Sequence, residues 1–148
     1  MNKNSISIFP ECLLDLSSLE WLYLAHNQLT DLSEALPKPI KNEKNDDGGH
    51  SYCCGLSNSL KRFVLSHNNI NQMPHHLGSL SRLEELWLTQ NRIITLPDTI
   101  CTLKHLKILI VNDNHLKELP KQVGTYFFNN ILLFWCYFIL VAGLLLVY

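Results

Sequence analysis

The stretch LWLTQNRIITLP, Leu86–Pro97, is repeated in outline by LIVNDNHLKELP, Leu109–Pro120. Each stretch has an asparagine five residues after its first leucine, and each ends on a Leu-Pro pair. One pattern recurring at a fixed interval is typical of a supersecondary unit that stacks on copies of itself. The extent of this interval along the chain therefore decides the fold.

The asparagines define the period. Leu86 and Leu109 are 23 residues apart. The same interval separates Asn4 from Asn27, Asn68 from Asn91 and Asn91 from Asn114, so the repeating unit has 23 residues. Asn27 and Asn68 lie further apart than one period but closer than two, so this unit contains additional sequence. Four of these five asparagines are followed six residues later by a proline: Pro10, Pro74, Pro97 and Pro120. Five units in one phase predict a repeat protein with one insertion.

Each unit also has a regular set of apolar positions, which fits the pattern L-x-x-L-x-L-x-x-N-x-L. Around Asn91 the pattern is filled by Leu83, Leu86, Leu88 and Ile93. Alternation predicts a short strand in which Leu86 and Leu88 point inward while Trp87 points outward. The asparagine is expected to close the turn after the strand, because its short amide satisfies nearby backbone groups. Apolar residues at three-residue steps after the Leu-Pro pair predict a 3₁₀ or loose helical return.

This pattern resembles that of intracellular leucine-rich repeat proteins, especially the 23-residue kind in Ras-pathway scaffolds of the Shoc-2/Sur-8 type and in the Scribble and Erbin group. The resemblance covers residues 4–125. It implies an α/β solenoid, a fragment of a leucine-rich repeat horseshoe with a parallel concave sheet and a 3₁₀, loop or short-helix convex side. It also implies a concave face that binds proteins, including small GTPases and phosphatase subunits.

Composition divides the chain into repeats at 1–125, with a partial first repeat, and a hydrophobic segment at 126–148. Residues 37–55 are polar, contain Pro and Gly, and carry charges of both signs. They are predicted to be a flexible insertion that leaves from the convex or edge side. Two interpretations stay open, an unstructured or alternatively spliced insert and a dedicated binding loop.

The C-terminal segment Ile131–Tyr148 contains no charge and no proline. Its length is at the lower limit for a membrane-spanning helix, which is about 18 residues. We expect a C-terminal hydrophobic helix, a transmembrane tail anchor with the repeats in the cytoplasm. The alternatives are a helix that caps the last repeat and translated intron sequence.

The strand expected before Asn4 is missing from the sequence. A truncated isoform or an incomplete gene model is therefore the alternative at this end of the chain. The corresponding functional alternative is a truncated or mis-spliced fragment of a longer leucine-rich repeat scaffold, without independent function.

Composition also narrows the function. The net charge of −1 argues against nucleic-acid binding, which needs a basic surplus. The five cysteines are scattered, and no secretory signal follows Met1, so we expect a reducing, cytosolic environment. The adjacent Cys53 and Cys54, with His50 nearby, lack the spacing of a zinc site. No cofactor or metal is predicted.

Histidines raise the question of catalysis. His26 and His67 precede equivalent asparagines, so they are expected to stack as neighbours if the insertion loops out. Asp113 holds the same place two repeats beyond His67, at a backbone distance of about 10 Å, which is too far for a compact triad. No Gly-rich phosphate loop or nucleophile motif is present. A hydrolase-like enzyme is therefore the remote alternative, and we predict that the protein is not an enzyme.

A binding surface is the stronger prediction. Exposed Trp, Tyr and Arg dominate the energetics of many interfaces, and these residue types recur among the outward positions of the strands. The packing of aromatic side chains on their column neighbours is the structural alternative. We predict a protein–protein interaction module, a signalling scaffold that binds its partner through Trp21, Tyr23, Arg62, Val64, Glu85, Trp87, Gln90, Ile108, Ile110 and Asp113.

Overall fold

The computed structural model describes residues 1–32, 36 and 55–120, and the backbone of 132–134. Five parallel strands of three residues each pair in chain order. They are β1 (Trp21–Tyr23), β2 (Arg62–Val64), β3 (Glu85–Trp87), β4 (Ile108–Ile110) and β5 (Leu132–Phe134). The predicted leucine-rich solenoid with a parallel sheet is confirmed, and β1 to β4 overlap the strands that the repeat pattern predicts near residues 21–24, 62–65, 85–88 and 108–111.

The core forms because each of the strands β1 to β4 buries its middle residue. Leu22, Phe63, Leu86 and Leu109 are at most 5% exposed and belong to one hydrophobic cluster that runs through all the described repeats. A three-residue strand has only one inward side chain, so a single repeat cannot form a core. Stacking provides the core, as expected for a solenoid.

The return segments opposite the sheet contain short 3₁₀ helices. They are Glu11–Leu13, Gly55–Asn58, His75–Ser79 and Asp98–Thr102. Pro10, Pro74 and Pro97 directly precede three of them in an extended conformation, with φ near −70°. Proline suits this place because the first N–H groups of a helix have no intrahelical partner. The predicted 3₁₀ return is confirmed.

The asparagines connect neighbouring repeats. Asn91 Nδ2 donates to the carbonyl of Leu88 in its own repeat and to that of Leu65 in the preceding repeat, both at 3.0 Å. Its Oδ1 accepts from the backbone N–H of Ile70 at 3.1 Å. Equivalent bonds are made by Asn27, Asn68 and Asn114. The predicted role of the amide is therefore confirmed, and it joins adjacent repeats.

The insertion begins and ends at positions that keep the repeat intact. Leu36 is buried, and Gly55 starts a 3₁₀ helix. In the next repeat these two places are held by Leu77 and Gly78. A Cβ on Gly55 would lie 2.5 Å from the backbone N of Ser17, so glycine permits this close approach. The predicted insertion, 37–55, is therefore one residue too long, and residues 37–54 lie outside the described part.

The N-terminal residues make the same hydrogen bonds as the asparagine turns of the later repeats. Asn4 Nδ2 donates to the carbonyls of Met1 and Asn2, as the later asparagines do in their own repeats. Lys3 has the positive φ of 57° that recurs at each strand exit. Asn2 Oδ1 accepts from the N–H of Ala25 at 2.9 Å, which attaches this segment to the first complete repeat.

The C-terminal segment differs from its prediction where it is described. Leu132–Phe134 is a strand, and Leu132 pairs with Ile108, one position later than the repeat period would place it. A hydrophobic helix running without interruption from Ile131 to Tyr148 is therefore wrong at these three residues, because their backbone continues the sheet. Elsewhere that predicted helix, at 131 and 135–148, lies outside the described residues. Within the described part, no helix is long and apolar enough to cross a membrane.

Candidate protein-binding face

The strand register brings the predicted site residues together on the concave face, which we define as the outward residues of β1 to β4. One row across the sheet is Trp21, Arg62, Glu85 and Ile108, and the parallel row is Tyr23, Val64, Trp87 and Ile110. Strand alternation requires this arrangement, since the residue between each pair is buried. Eight of the ten predicted residues thus share one surface.

A hydrogen-bonded cluster lies at one side of this surface. Arg62 donates through Nη1 to the Tyr23 hydroxyl at 3.1 Å and through Nη2 to Glu85 Oε1 at 2.5 Å. The second Glu85 oxygen accepts from Trp87 Nε1 at 3.2 Å. The Arg62 guanidinium also lies 5.6 Å from the ring centroid of Trp21, within cation–π distance. The Arg62–Glu85 pair therefore contacts the three aromatic residues of the concave face.

The chemistry of this cluster is that of a fixed ion pair. The hydrogen bond to Glu85, followed by that to Tyr23, raises the pKa of Arg62 above its already high value. The Glu85 side chain is 19% exposed, compared with 36% for Arg62. Trp21 is 58% exposed and offers the largest accessible aromatic surface of the cluster. An accessible tryptophan over an anchored arginine is suited to contact with a partner.

A row of charged residues directly precedes the strands, and its ion pairs were not among the predictions from the sequence. Lys61 Nζ lies 2.6 Å from Glu20, and Lys107 Nζ lies 2.6 Å from Glu84. The hydrogen bond from Lys107 lowers the pKa of Glu84. These residues alternate in sign at the position preceding each outward row. That alternation was visible in the sequence and indicates cross-strand ion pairs.

A further row is formed by the residues at the strand exits, three positions after β1 to β4 end, and it includes Gln90 and Asp113. His26, His67, Gln90 and Asp113 all have positive φ values, between 54° and 58°. The His26 and His67 rings stack with centroids 3.9 Å apart and an interplanar angle of 14°, as predicted. Gln90 lies between His67 and Asp113 in this row, so the structure does not bring the two histidines and the carboxylate together as a triad.

The described residues offer little for metal chemistry. They contain no group of three or more His, Cys, Asp or Glu side chains placed to hold a metal ion. Cys12 is exposed and Cys101 is buried, and both are free. The adjacent Cys53 and Cys54, with His50, lie outside the described residues.

Comparison with known proteins gives the same architecture. A family model described as leucine rich repeat matches residues 58–116, and a second matches residues 18–42. Together these two segments cover more than half of the chain. The search of the curated proteins found no match.

Among solved structures, a leucine-rich repeat protein of Leptospira interrogans is similar, with a TM-score of 0.65 and 28% sequence identity. The similarity covers 88% of this chain and 29% of the Leptospira chain. The present chain thus spans less than a third of that neighbour's length.

Proposed function

The chain belongs to the leucine-rich repeat proteins, and from this premise we propose that it is a non-enzymatic interaction module that binds a protein partner on its concave face. Leucine-rich repeat domains generally mediate protein–protein interaction. The observation that carries the proposal is the Arg62 cluster. It holds Tyr23 and Trp87 by hydrogen bonds and supports the exposed Trp21 ring.

This arrangement favours binding for an energetic reason. Tryptophan, tyrosine and arginine are enriched among the residues whose truncation costs most at interfaces. Side chains that are already ordered lose less conformational entropy when a partner binds. The concave face thus combines the appropriate residue types with restricted motion. We propose a scaffold role in the cytoplasm, with a small GTPase or a phosphatase subunit as the partner classes suggested by the resemblance.

The test compares proteins captured from cell extract by the unmodified chain and by two variants. Trp21→Ala should weaken capture of a concave-face partner by about 2 kcal/mol, the threshold for an interface hot spot. His76→Ala, in the 3₁₀ helix on the opposite side, should leave capture unchanged. Circular dichroism of both variants checks that the stack is folded. Equal losses in both variants would move the interface away from the concave face.

A further inference from the structure

Six of the charged residues on and next to the concave face are paired with one another. Glu20 with Lys61, Arg62 with Glu85, and Glu84 with Lys107 make three ion pairs, each between adjacent repeats. These six residues contribute no net charge. A charged partner side chain would therefore displace an existing pair or lose hydration without a new counter-charge, and the second outcome is costly.

An apolar stripe lies beside the charged rows, toward the C-terminal ends of the strands. Tyr23, Val64, Trp87 and Ile110 are aligned across β1 to β4, and all four are partly exposed. Four strands span roughly 14 Å at a spacing of about 4.8 Å. Ile108 adds an aliphatic side chain next to this stripe on β4, in register with Glu85. The accessible surface beside the ion pairs is thus aromatic and aliphatic.

Arg62 and Glu85 do not belong to this stripe, but they hold its aromatic residues in place by hydrogen bonds. Glu85 uses one oxygen for Arg62 and the other for Trp87, and Arg62 uses separate nitrogens for Glu85 and Tyr23. The two Nη atoms of Arg62 and the two carboxylate oxygens of Glu85 are therefore engaged within the protein. The Nε of Arg62 is buried and has no hydrogen-bond partner within the described residues, so it is not presented to a partner either.

We infer that the concave face recognises an uncharged segment of a partner protein through aromatic and aliphatic side chains, and that Arg62 and Glu85 are positioning residues for Trp21, Tyr23 and Trp87. This inference rests on the proposed function and specifies the chemistry of the partner. Specificity comes from the shape of the fixed aromatic surface, while the Arg62–Glu85 pair holds that surface in place.

The test uses a random peptide library displayed on phage and panned against the purified full chain. Peptides retained by the unmodified chain and lost with Trp21→Ala are synthesised and their affinities measured. We expect them to be rich in aromatic and aliphatic residues and to have little net charge. Their affinity should be unchanged between 0.1 M and 1 M salt, where the screening length falls from about 10 Å to about 3 Å.

The positioning role is tested with a variant that keeps the net charge. Arg62→Met combined with Glu85→Gln removes the ion pair without changing the charge balance, and it should weaken the selected peptides at least tenfold. Lys107→Met combined with Glu84→Gln is the matched control, because it removes the exposed ion pair and also keeps the net charge, and it should bind as the unmodified chain does. Circular dichroism checks that both proteins are folded.

The outcomes separate this inference from the proposed function. Selection of charged peptides, or loss of affinity in high salt, would overturn the uncharged-partner inference and leave concave-face binding in place. Full affinity of the double variant would overturn the positioning role. If every retained peptide still binds Trp21→Ala, concave-face binding itself is wrong.

Discussion

Asn68 shows how a single buried side chain joins two repeats. Its Nδ2 donates to the carbonyls of Leu65 and Leu24, and its Oδ1 accepts from the N–H of Leu29. Leu24 and Leu29 belong to the preceding repeat, which lies on the other side of the insertion. The amide therefore replaces hydrogen bonds that the irregular turn backbone cannot make for itself.

Asn68→Ala should consequently be strongly destabilising. It removes three hydrogen bonds and leaves the N–H of Leu29 without an acceptor, while the carbonyls of Leu24 and Leu65 keep their bonds from Asn27 and Asn91. An unsatisfied buried group costs about 1–3 kcal/mol, and each lost hydrogen bond adds about 0.5–1.5 kcal/mol. We expect the free energy of unfolding, measured by urea denaturation, to fall by at least about 2 kcal/mol. Asn71→Ala is the matched control, since Asn71 is exposed, and its midpoint should not move. Equal effects of the two changes would show that the buried asparagine does not join the two repeats.

His26 makes the stability depend on pH. Loss of hydration against its neighbours, then the charges of His67 and Lys3, lower the pKa of His26 below its usual 6.5. The unfolded chain therefore takes up a proton at His26 before the folded chain does. This stabilising contribution is present above pH 6.5 and is lost as the pH falls through the lower, folded-state pKa.

The measurement is the thermal midpoint between pH 8 and pH 5. The midpoint of the unmodified protein should fall on acidification more steeply than that of His26→Asn. Asparagine suits the comparison because it tolerates the left-handed backbone at this position and does not titrate. Parallel curves for the two proteins would show that the histidine stack has no role in the acid response.

The strand exits also show where prediction from the sequence reached its limit. Gln90 and Asp113 were predicted as partner-binding residues because their column is exposed. Both are exposed, but both also have positive φ, as do His26, His67 and Lys3. Asp and His are enriched in this left-handed conformation, so the composition of the row has a backbone explanation that polarity alone did not indicate.

At the scale of the element, the insertion leaves the repeat geometry unchanged. Leu36 and Gly55 occupy the places of Leu77 and Gly78, which are consecutive in the next repeat. The register of β1 with β2 is the same as that of β2 with β3. The segment between Leu36 and Gly55 therefore accounts for the whole excess of this repeat over the common period.

Deletion of residues 37–54 should therefore preserve the fold. The shortened chain joins Leu36 to Gly55 and restores a repeat of the common length, and it has no long connection to close. We expect the free energy of unfolding to stay the same or rise by about 1 kcal/mol. Urea denaturation of both chains is the measurement. Loss of cooperative unfolding in the deleted chain would mean that these residues support the stack.

Periodicity explains why the strands were predictable and the Arg62–Glu85–Trp87 contacts were not. Leu86 and Leu88 follow the repeat template, so the sequence predicts their strand and its inward face. The link from Arg62 through Glu85 to Trp87 depends on which rotamers meet across neighbouring strands. The template places these side chains in adjacent columns but does not specify that one carboxylate serves both neighbours.

At the scale of the whole molecule, contacts between neighbouring repeats hold the described part of the stack together. Each described strand pairs with the next in chain order, and the hydrogen bonds of the buried asparagines join adjacent repeats. Stability in such a solenoid is approximately a sum over neighbouring interfaces, and a terminal repeat has one interface where an internal repeat has two. The pairing of β4 with β5, the last one described, should therefore add to the stability of the repeat that contains β4.

Leu133 provides the test of that end. It pairs with Leu109, in the row whose earlier members are the buried Leu22, Phe63 and Leu86. If 132–134 is a fifth strand, Leu133→Asp places a charge in a core position and should lower the free energy of unfolding by about 3 kcal/mol. If Ile131–Tyr148 is instead a membrane helix, the same change should leave the repeats unaffected and weaken membrane attachment. We expect the first result, because the backbone of 132–134 is already hydrogen-bonded to β4. Urea denaturation of the two purified chains measures the stability, and carbonate extraction of cell membranes measures attachment. An unchanged midpoint together with carbonate-resistant membrane binding would replace the fifth strand by an anchor.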